Sequence, residues 1–117
     1  MRVPPVRRRF VDTSVGALHV AECGAESTCP VLLLHQSPRS WREFDRVLPL
    51  LGAHRHALAM DTVGFGDSAP PPWPPTIERW AHAAHELLDA LGHGQVDVVG
   101  HHTGGVIALE MAACRPG

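Results

Sequence analysis

Apolar positions along the chain follow strand-like patterns in five places. Alternating runs at 10–13 and 17–21 flank Ser14-Val15-Gly16, which predicts an N-terminal β-hairpin. Later runs are continuously apolar or nearly so, as expected of strands that are buried on both faces of a sheet. These later runs are 31–34, 56–60 and 96–99.

Three helices are predicted between and after these strands. Apolar residues recur at helical spacing over 41–51, where an internal proline should shorten or kink the helix. A longer stripe covers 77–91, with Thr76 as its N-cap and Gly92 at its end, and a third helix is predicted over 106–113. Strands alternating with helices imply an α/β fold, a mostly parallel sheet of about five strands with an antiparallel hairpin at its start.

Composition is that of an ordinary globular chain. Its 117 residues, 44% hydrophobic and 19% charged, suffice for one domain, which we expect over 10–117 after a loose N-terminal arm over 1–9. The net charge is 10 − 12 = −2 with neutral histidines, so we expect neither a nucleic-acid nor a membrane partner. No phosphate-cradling glycine loop occurs, and no cofactor is therefore expected.

The cysteines give a weak indication of the cellular compartment. The chain has an odd number of cysteines, Cys23, Cys29 and Cys114, and no two of them form a C-x-x-C pair. Cys23 and Cys29 could pair under oxidation, but free thiols in a cytoplasmic protein are the expectation.

Polar residues follow the predicted parallel strands. His35, Asp61 and the pair His101-His102 each come at the carboxyl end of one strand. Ligands of open parallel sheets gather beyond those ends, so the pattern predicts where a site lies without defining its reaction.

The sequence after the last predicted strand favours a sharp turn into a helix. Gly100 lies two residues before His102 and Gly104 two residues after it, so the chain can turn sharply from strand to helix. The turn should strain the backbone of His102 and project its side chain into the cleft. The N–H of Thr103, at the helix N-terminus, should point to the same place, where it would suit developing negative charge.

At this point a family resemblance becomes clear. The run 99–105, Val-Gly-His-His-Thr-Gly-Gly, resembles the nucleophile elbow G-x-S-x-G of α/β-hydrolases. The segment 32–38 resembles the H-G-x-P oxyanion loop of that family, 61–68 its D-x-x-G-x-G-x-S loop, and the helix after Thr76 the one that precedes the elbow. The resemblance implies the N-terminal part of an α/β-hydrolase domain, with strand order 1-2-4-3-5-6-7-8.

Three departures from the family pattern matter. His102 stands where serine, aspartate or cysteine is usual, and Gln36 stands where glycine is usual. The N–H of Ser37 is the expected oxyanion donor of this loop. The acid, the histidine, the later strands and the cap of the family have no counterpart within these 117 residues. The strand at 96–99 should therefore form an open edge that invites association with another chain, such as a second copy.

We expect different roles for the histidines and for the Asp61 carboxylate. His102 could act as a general base or attack an acyl or phosphoryl group directly, or it could mark a position that no longer does chemistry. The resemblance implies structural roles for His35 and His101, and we expect Asp61 to organise its loop. A metal site formed by the three histidines is disfavoured, because neighbours on a turn point apart and no carboxylate or cysteine lies beside them in sequence.

Three interpretations of the function remain open. The resemblance implies a hydrolase of a small ester, lactone or related carbonyl compound, with His102 at the nucleophile position. The alternatives are a non-catalytic small-molecule-binding protein and an inactive fragment. Loss of turnover with retained binding in His102→Ala would distinguish the enzyme from the binding protein.

Overall fold

A single five-stranded sheet organises the chain, whose residues 4–27 and 29–115 are described by a computed structural model. The strands are β1 (Arg7–Thr13), β2 (Gly16–Cys23), β3 (Val31–Leu34), β4 (Ala57–Met60) and β5 (Asp97–Gly100). The helices are α1 (Val47–Gly52), α2 (Ile77–Leu91) and α3 (Thr103–Cys114), with a 3₁₀ turn at Trp41–Phe44. The strand order is β1-β2-β4-β3-β5, which agrees with the order implied by the family resemblance.

The predicted hairpin is present but longer than expected. β1 pairs antiparallel with β2 from Arg7, opposite Glu22, to Thr13, opposite Gly16. The expectation of a loose arm is therefore wrong for 7–9. These arginines belong to a strand because their backbone pairs with β2, and the Arg9 side chain reaches the Glu22 carboxylate at 2.9 Å. Residues 1–3 of the expected arm lie outside the described residues.

Buried parallel strands form the centre of the sheet. β3 lies between β4 and β5 and is parallel to both, so Leu34 pairs with Met60 on one side and with Gly100 on the other. All four residues of β3 are buried, which explains its continuously apolar sequence. β5 pairs only with β3 among the described strands and so forms an edge, as predicted.

Side-chain alternation along these strands creates two apolar layers. Leu32 and Leu34 of β3 pack on one face together with the apolar sides of α2 and α3. Val31 and Leu33 pack on the opposite face with Trp41 and α1. The sheet is thus covered on both faces, and its carboxyl-end loops are held between the two layers.

The two termini of α2 follow the sequence signals closely. The Thr76 hydroxyl accepts the N–H of Arg79 at 3.1 Å, and Gly92 ends α2 with a φ of +82°. Pro49 lies in the first turn of α1, where a missing N–H costs no helical hydrogen bond. The prediction for α3 is wrong at its start, since the helix begins at Thr103 and not at residue 106.

Two further features concern the state of the cysteine thiols and the search for a membrane-spanning helix. All three cysteines are free thiols; Cys23 is buried, and burial raises the pKa of its thiol. Within 4–27 and 29–115, no helix has the length and apolar character needed to cross a bilayer.

Candidate active site at the strand-to-helix elbow

The turn between β5 and α3 consists of His101 and His102 alone. His102 has φ +57° and ψ −114°, and it is the one non-glycine residue with positive φ in the described part of the chain. Such a conformation costs on the order of 1–3 kcal/mol for a residue with a side chain. The predicted strain at the apex is therefore present in the backbone.

Two glycines make this sharp turn possible. A Cβ added at Gly104 would lie 2.2 Å from the Leu34 carbonyl oxygen, and one at Gly100 would lie 2.2 Å from the Gly104 carbonyl oxygen. Neither carbonyl can move aside easily, because Leu34 is paired with Gly100 in the sheet and Gly104 lies in the first turn of α3. The glycines are thus required by close backbone approach, as the motif predicts.

His102 is exposed at the apex of the turn. Its side chain, with Thr103 and Val106, lines a shallow surface cavity of about 390 Å³. Within 4–27 and 29–115 no hydrogen bond engages its imidazole. The side chain is therefore accessible to a ligand but is not oriented by a neighbour.

The loop after β3 lies directly beside the elbow. The Ser37 N–H points at the Thr103 hydroxyl oxygen with an N···O distance of 3.5 Å, which makes a weak hydrogen bond. The His101 N–H donates to the Leu34 carbonyl at 3.0 Å. The structure thus brings together the two residues that the sequence proposes as oxyanion donors, Ser37 and Thr103.

His35 is buried and makes two hydrogen bonds through its ring. Its Nε2 accepts the N–H of Thr62 at 3.0 Å, so the neutral ring carries its proton on Nδ1, which donates to the Gln36 carbonyl at 2.8 Å. These bonds join the loops that follow β3 and β4. Both nitrogens are engaged, and His35 has no lone pair left for a metal ion.

Asp61 is fully buried and accepts three hydrogen bonds. Its carboxylate receives the N–H of Trp41 at 2.7 Å, the N–H of Asp67 at 2.9 Å and the Nδ1 proton of His19 at 2.9 Å. The Asp61 side chain therefore joins β2, the start of the 3₁₀ turn and its own loop, and it does not face the elbow cavity.

A cluster that the sequence does not reveal surrounds Asp61. Ligand-type atoms of His19, Asp61 and Asp67 all lie within 4.8 Å of one another, which is a spacing that a metal ion could use. Arg8 already occupies this place, since its guanidinium donates to His19 Nε2 at 3.1 Å and to Asp67 at 2.6 Å. A cationic side chain of the chain itself thus supplies the positive charge there.

Sequence reasoning also missed Glu43. One of its carboxylate oxygens accepts the N–H of Gln36 at 3.1 Å, and the other contacts Nδ1 of His101. His101 and Glu43 are 58 residues apart, and no local motif links them. The structure therefore places a carboxylate beside the elbow histidines, where the sequence suggests none.

Comparison with known proteins identifies the family. A family model described as the alpha/beta hydrolase fold matches residues 30–116, and the chain belongs to this family. It is 38% identical over 88 residues to a soluble epoxide hydrolase of Corynebacterium sp. (strain C12), covering 75% of this chain and 31% of that protein. It is 38% identical over 104 residues to the lipase LipV of Mycobacterium tuberculosis, covering 85% of this chain and 37% of that protein.

Solved structures agree with the family assignment. An N-acyl homoserine lactonase complexed with N-hexanoyl homoserine superimposes with a TM-score of 0.89 at 29% identity, covering 96% of this chain and 42% of that one. The chain spans about a third of the length of each of these two curated relatives. The comparisons thus support a hydrolase family and do not select one substrate.

Proposed function

We propose that this chain forms the N-terminal part of a hydrolase acting on a small ester, lactone or related carbonyl compound, with His102 at the nucleophile position. The observation that carries the proposal is the strained, exposed position of His102 at the elbow apex, between a parallel strand and a helix N-terminus. A residue with a backbone cost of this kind is often retained for a function. The names of relatives include a lipase and a lactonase, which act on carbonyl compounds.

His102 can contribute to such a reaction in two ways. A neutral imidazole can take a proton from water as a general base, or it can attack the carbonyl carbon itself. The Ser37 N–H, which lies 3.5 Å from the Thr103 hydroxyl oxygen, and the Thr103 N–H at the start of α3 are the donors that would stabilise the negative charge on the carbonyl oxygen. The substrate oxygen would replace the Thr103 hydroxyl as the acceptor of the Ser37 N–H. Triad chemistry centred on a serine at the apex is excluded by the residue present.

A second candidate is a non-catalytic protein that binds a small molecule in the same cavity. The observation that favours it is the lack of any described hydrogen bond to the His102 ring, because an efficient general base is usually oriented by a partner. The two candidates share the site but differ in whether a bound compound is converted.

The test measures turnover and binding side by side on a panel of esters, lactones and epoxides. The proposal expects turnover that falls in His102→Ala while binding of the same compound is retained. Binding without turnover in both proteins would support the second candidate. His102→Ser should gain esterase activity only if a triad acid and histidine are supplied, and we expect none from these 117 residues.

The exposed edge of the sheet is a further part of the proposal. In β5, Val99 is 53% exposed, and in the adjacent α3, Val106 and Leu109 are 49% and 74% exposed. A cavity of about 620 Å³ lies between α2, β5 and α3. An apolar edge strand can pair with another chain, and a second copy of this chain is the partner we propose. Sedimentation should then show a concentration-dependent dimer, whereas a monomer at all concentrations would contradict the pairing.

A further inference from the structure

We propose that the side-chain hydroxyl of Thr103 is a catalytic group of the elbow site, which donates a hydrogen bond to the carbonyl oxygen of the substrate. This role rests on the proposed hydrolase function, in which His102 remains the general base or the nucleophile. The hydroxyl would be a third donor, in addition to the backbone N–H groups of Ser37 and Thr103.

Thr103 lies at the elbow cavity, next to the strained apex residue. It is the first residue of α3 and lines the cavity together with His102 and Val106. The Ser37 N–H points at its hydroxyl oxygen across an N···O distance of 3.5 Å. The hydroxyl thus occupies the acceptor position in which the Ser37 donor would hold a substrate oxygen.

The direction of the Ser37 N–H is fixed by its own peptide group. The Gln36 carbonyl, on the other side of that peptide, accepts hydrogen bonds at 2.8 Å from His35 Nδ1 and at 2.8 Å from the Arg39 N–H. The C=O and N–H of a planar trans peptide point in opposite directions, so these two bonds orient the Ser37 N–H as well. The acceptor position at the elbow is therefore defined by groups that do not depend on Thr103.

The Thr103 hydroxyl can change its role when a substrate oxygen enters this position. Its contact with the Ser37 N–H is weak at 3.5 Å, and no acceptor for the hydroxyl proton is found within residues 4–27 and 29–115. Threonine in a helix has two accessible χ1 rotamers, so the hydroxyl can turn aside while the substrate oxygen takes its place. A hydroxyl both donates and accepts, and its bond to an oxygen that gains negative charge is stronger than the contact that it gives up.

The hydroxyl keeps its proton throughout the reaction. In the route with His102 as general base, the imidazole takes a proton from water, the water oxygen bonds to the carbonyl carbon, and an electron pair moves to the carbonyl oxygen. That oxygen would accept the bonds from the Thr103 hydroxyl and the Ser37 N–H while it carries the charge. When the electron pair returns, the bond to the alkoxide breaks, and the alkoxide leaves with the proton from His102 as the alcohol.

Binding of ethyl methylphosphonate tests the donor without requiring turnover, because this tetrahedral anion resembles the reaction intermediate. The dissociation constant is measured by ³¹P NMR titration of the full 117-residue chain and of its variants Thr103→Val and Thr103→Ser. Both variants retain the Thr103 N–H, and only the valine variant lacks the hydroxyl. We expect Thr103→Val to weaken binding about tenfold, whereas Thr103→Ser should stay within about threefold of the wild type.

A control variant shows whether the loss of any threonine hydroxyl has the same effect. Thr13→Val removes a hydroxyl at the end of β1, on the opposite edge of the sheet from β5, and should bind the phosphonate as the wild type does. Equal or tighter binding by Thr103→Val would overturn the proposal, since the hydroxyl would then only block the acceptor position. A folded wild type that does not bind the phosphonate would overturn it as well.

Activity measurements separate the role of the hydroxyl from the hydrolase function on which it rests. Where an ester is hydrolysed, Thr103→Val should lower kcat about tenfold or more with little change in KM, because the bond strengthens as charge develops on the oxygen. An unchanged kcat would overturn the catalytic role. Absence of turnover in every protein would remove the proposed hydrolysis, while phosphonate binding that depends on the hydroxyl would still support Thr103 as the donor to a bound oxyanion.

Discussion

The Ser37 amide nitrogen lies 3.5 Å from the Thr103 hydroxyl oxygen, although 66 residues separate the two in sequence. The contact follows from the pairing of Leu34 in β3 with Gly100 in β5, which sets the two carboxyl-end loops side by side. The position of the Ser37 N–H relative to the elbow is therefore set by the register of a buried parallel pair.

The close approach of α3 to β3 gives a first prediction. Gly104→Ala should destabilise the protein by about 3 kcal/mol, because its Cβ would meet the Leu34 carbonyl oxygen at 2.2 Å. Gly105→Ala is the matched control in the same helix turn, where the nearest atom is 3.4 Å away. Chemical denaturation should show a large loss for the first variant and little change or a gain for the second, and equal losses would contradict the packing.

The backbone strain at His102 gives a second prediction. His102→Gly should be more stable than His102→Ala by about 1 kcal/mol or more, because glycine adopts a φ of +57° without a Cβ clash. Both variants lack the imidazole, so their difference isolates the backbone conformation. Thermal unfolding measures it, and a less stable glycine variant would show that the apex is not strained.

The buried carboxylate of Asp61 gives a third prediction. Asp61→Asn should cost about 3 kcal/mol, since an amide replaces one acceptor oxygen with a donor that faces N–H groups. Asp67→Asn changes an exposed carboxylate that pairs with Arg8 and should cost about 1 kcal/mol or less. Urea unfolding of the two variants provides the comparison, and a small effect at Asp61 would contradict its role in joining the loops.

His93 gives a fourth prediction, which concerns pH. Burial, reinforced by the neighbouring charge of His56, lowers the pKa of His93 below the ordinary value of 6.5. The unfolded chain therefore takes up this proton at a higher pH than the folded chain does. Folding stability contributed by neutral His93 is present above the ordinary pKa and falls as the pH drops through and below it.

Measuring the free energy of unfolding between about pH 8 and about pH 5 tests this sign. His93→Gln should reduce the loss of stability on acidification. The exposed histidine variant His54→Gln serves as the control and should leave the pH dependence as it is in the wild type. A steeper acid loss in His93→Gln would contradict the expected direction.

Local sequence signals predicted most elements and the backbone of the site. The apolar run of β3, the Thr76 cap and the Gly92 terminus depend on interactions within a few residues, and the structure confirms all three. The conformation at His102 was predictable for the same reason, because Gly100 and Gly104 leave room for a sharp turn that larger residues would block.

The features that sequence reasoning missed depend on distant partners. Residues 7–9 belong to β1 because their backbone pairs with β2. Three adjacent arginines do not form the apolar pattern that would predict a strand there. Sequence reasoning missed the first turn of α3 because it contains Gly104 and Gly105, and glycine is a poor helix former. Glycines are nevertheless tolerated near the start of a helix. The pairing of Glu43 with His101 arises only when the sheet brings two loops together.

The most direct test of the central claim is the rate of hydrolysis of one chromogenic ester by the wild type and by His102→Ala. Free imidazoles hydrolyse activated esters slowly, so the unfolded chain, with the same nine histidines, sets the background rate. His54→Ala removes an exposed histidine away from the elbow and should keep the wild-type rate. We expect His102→Ala to lower kcat/KM about 100-fold or more toward the background. A His102→Ala rate equal to that of the wild type would contradict a catalytic role for the elbow histidine.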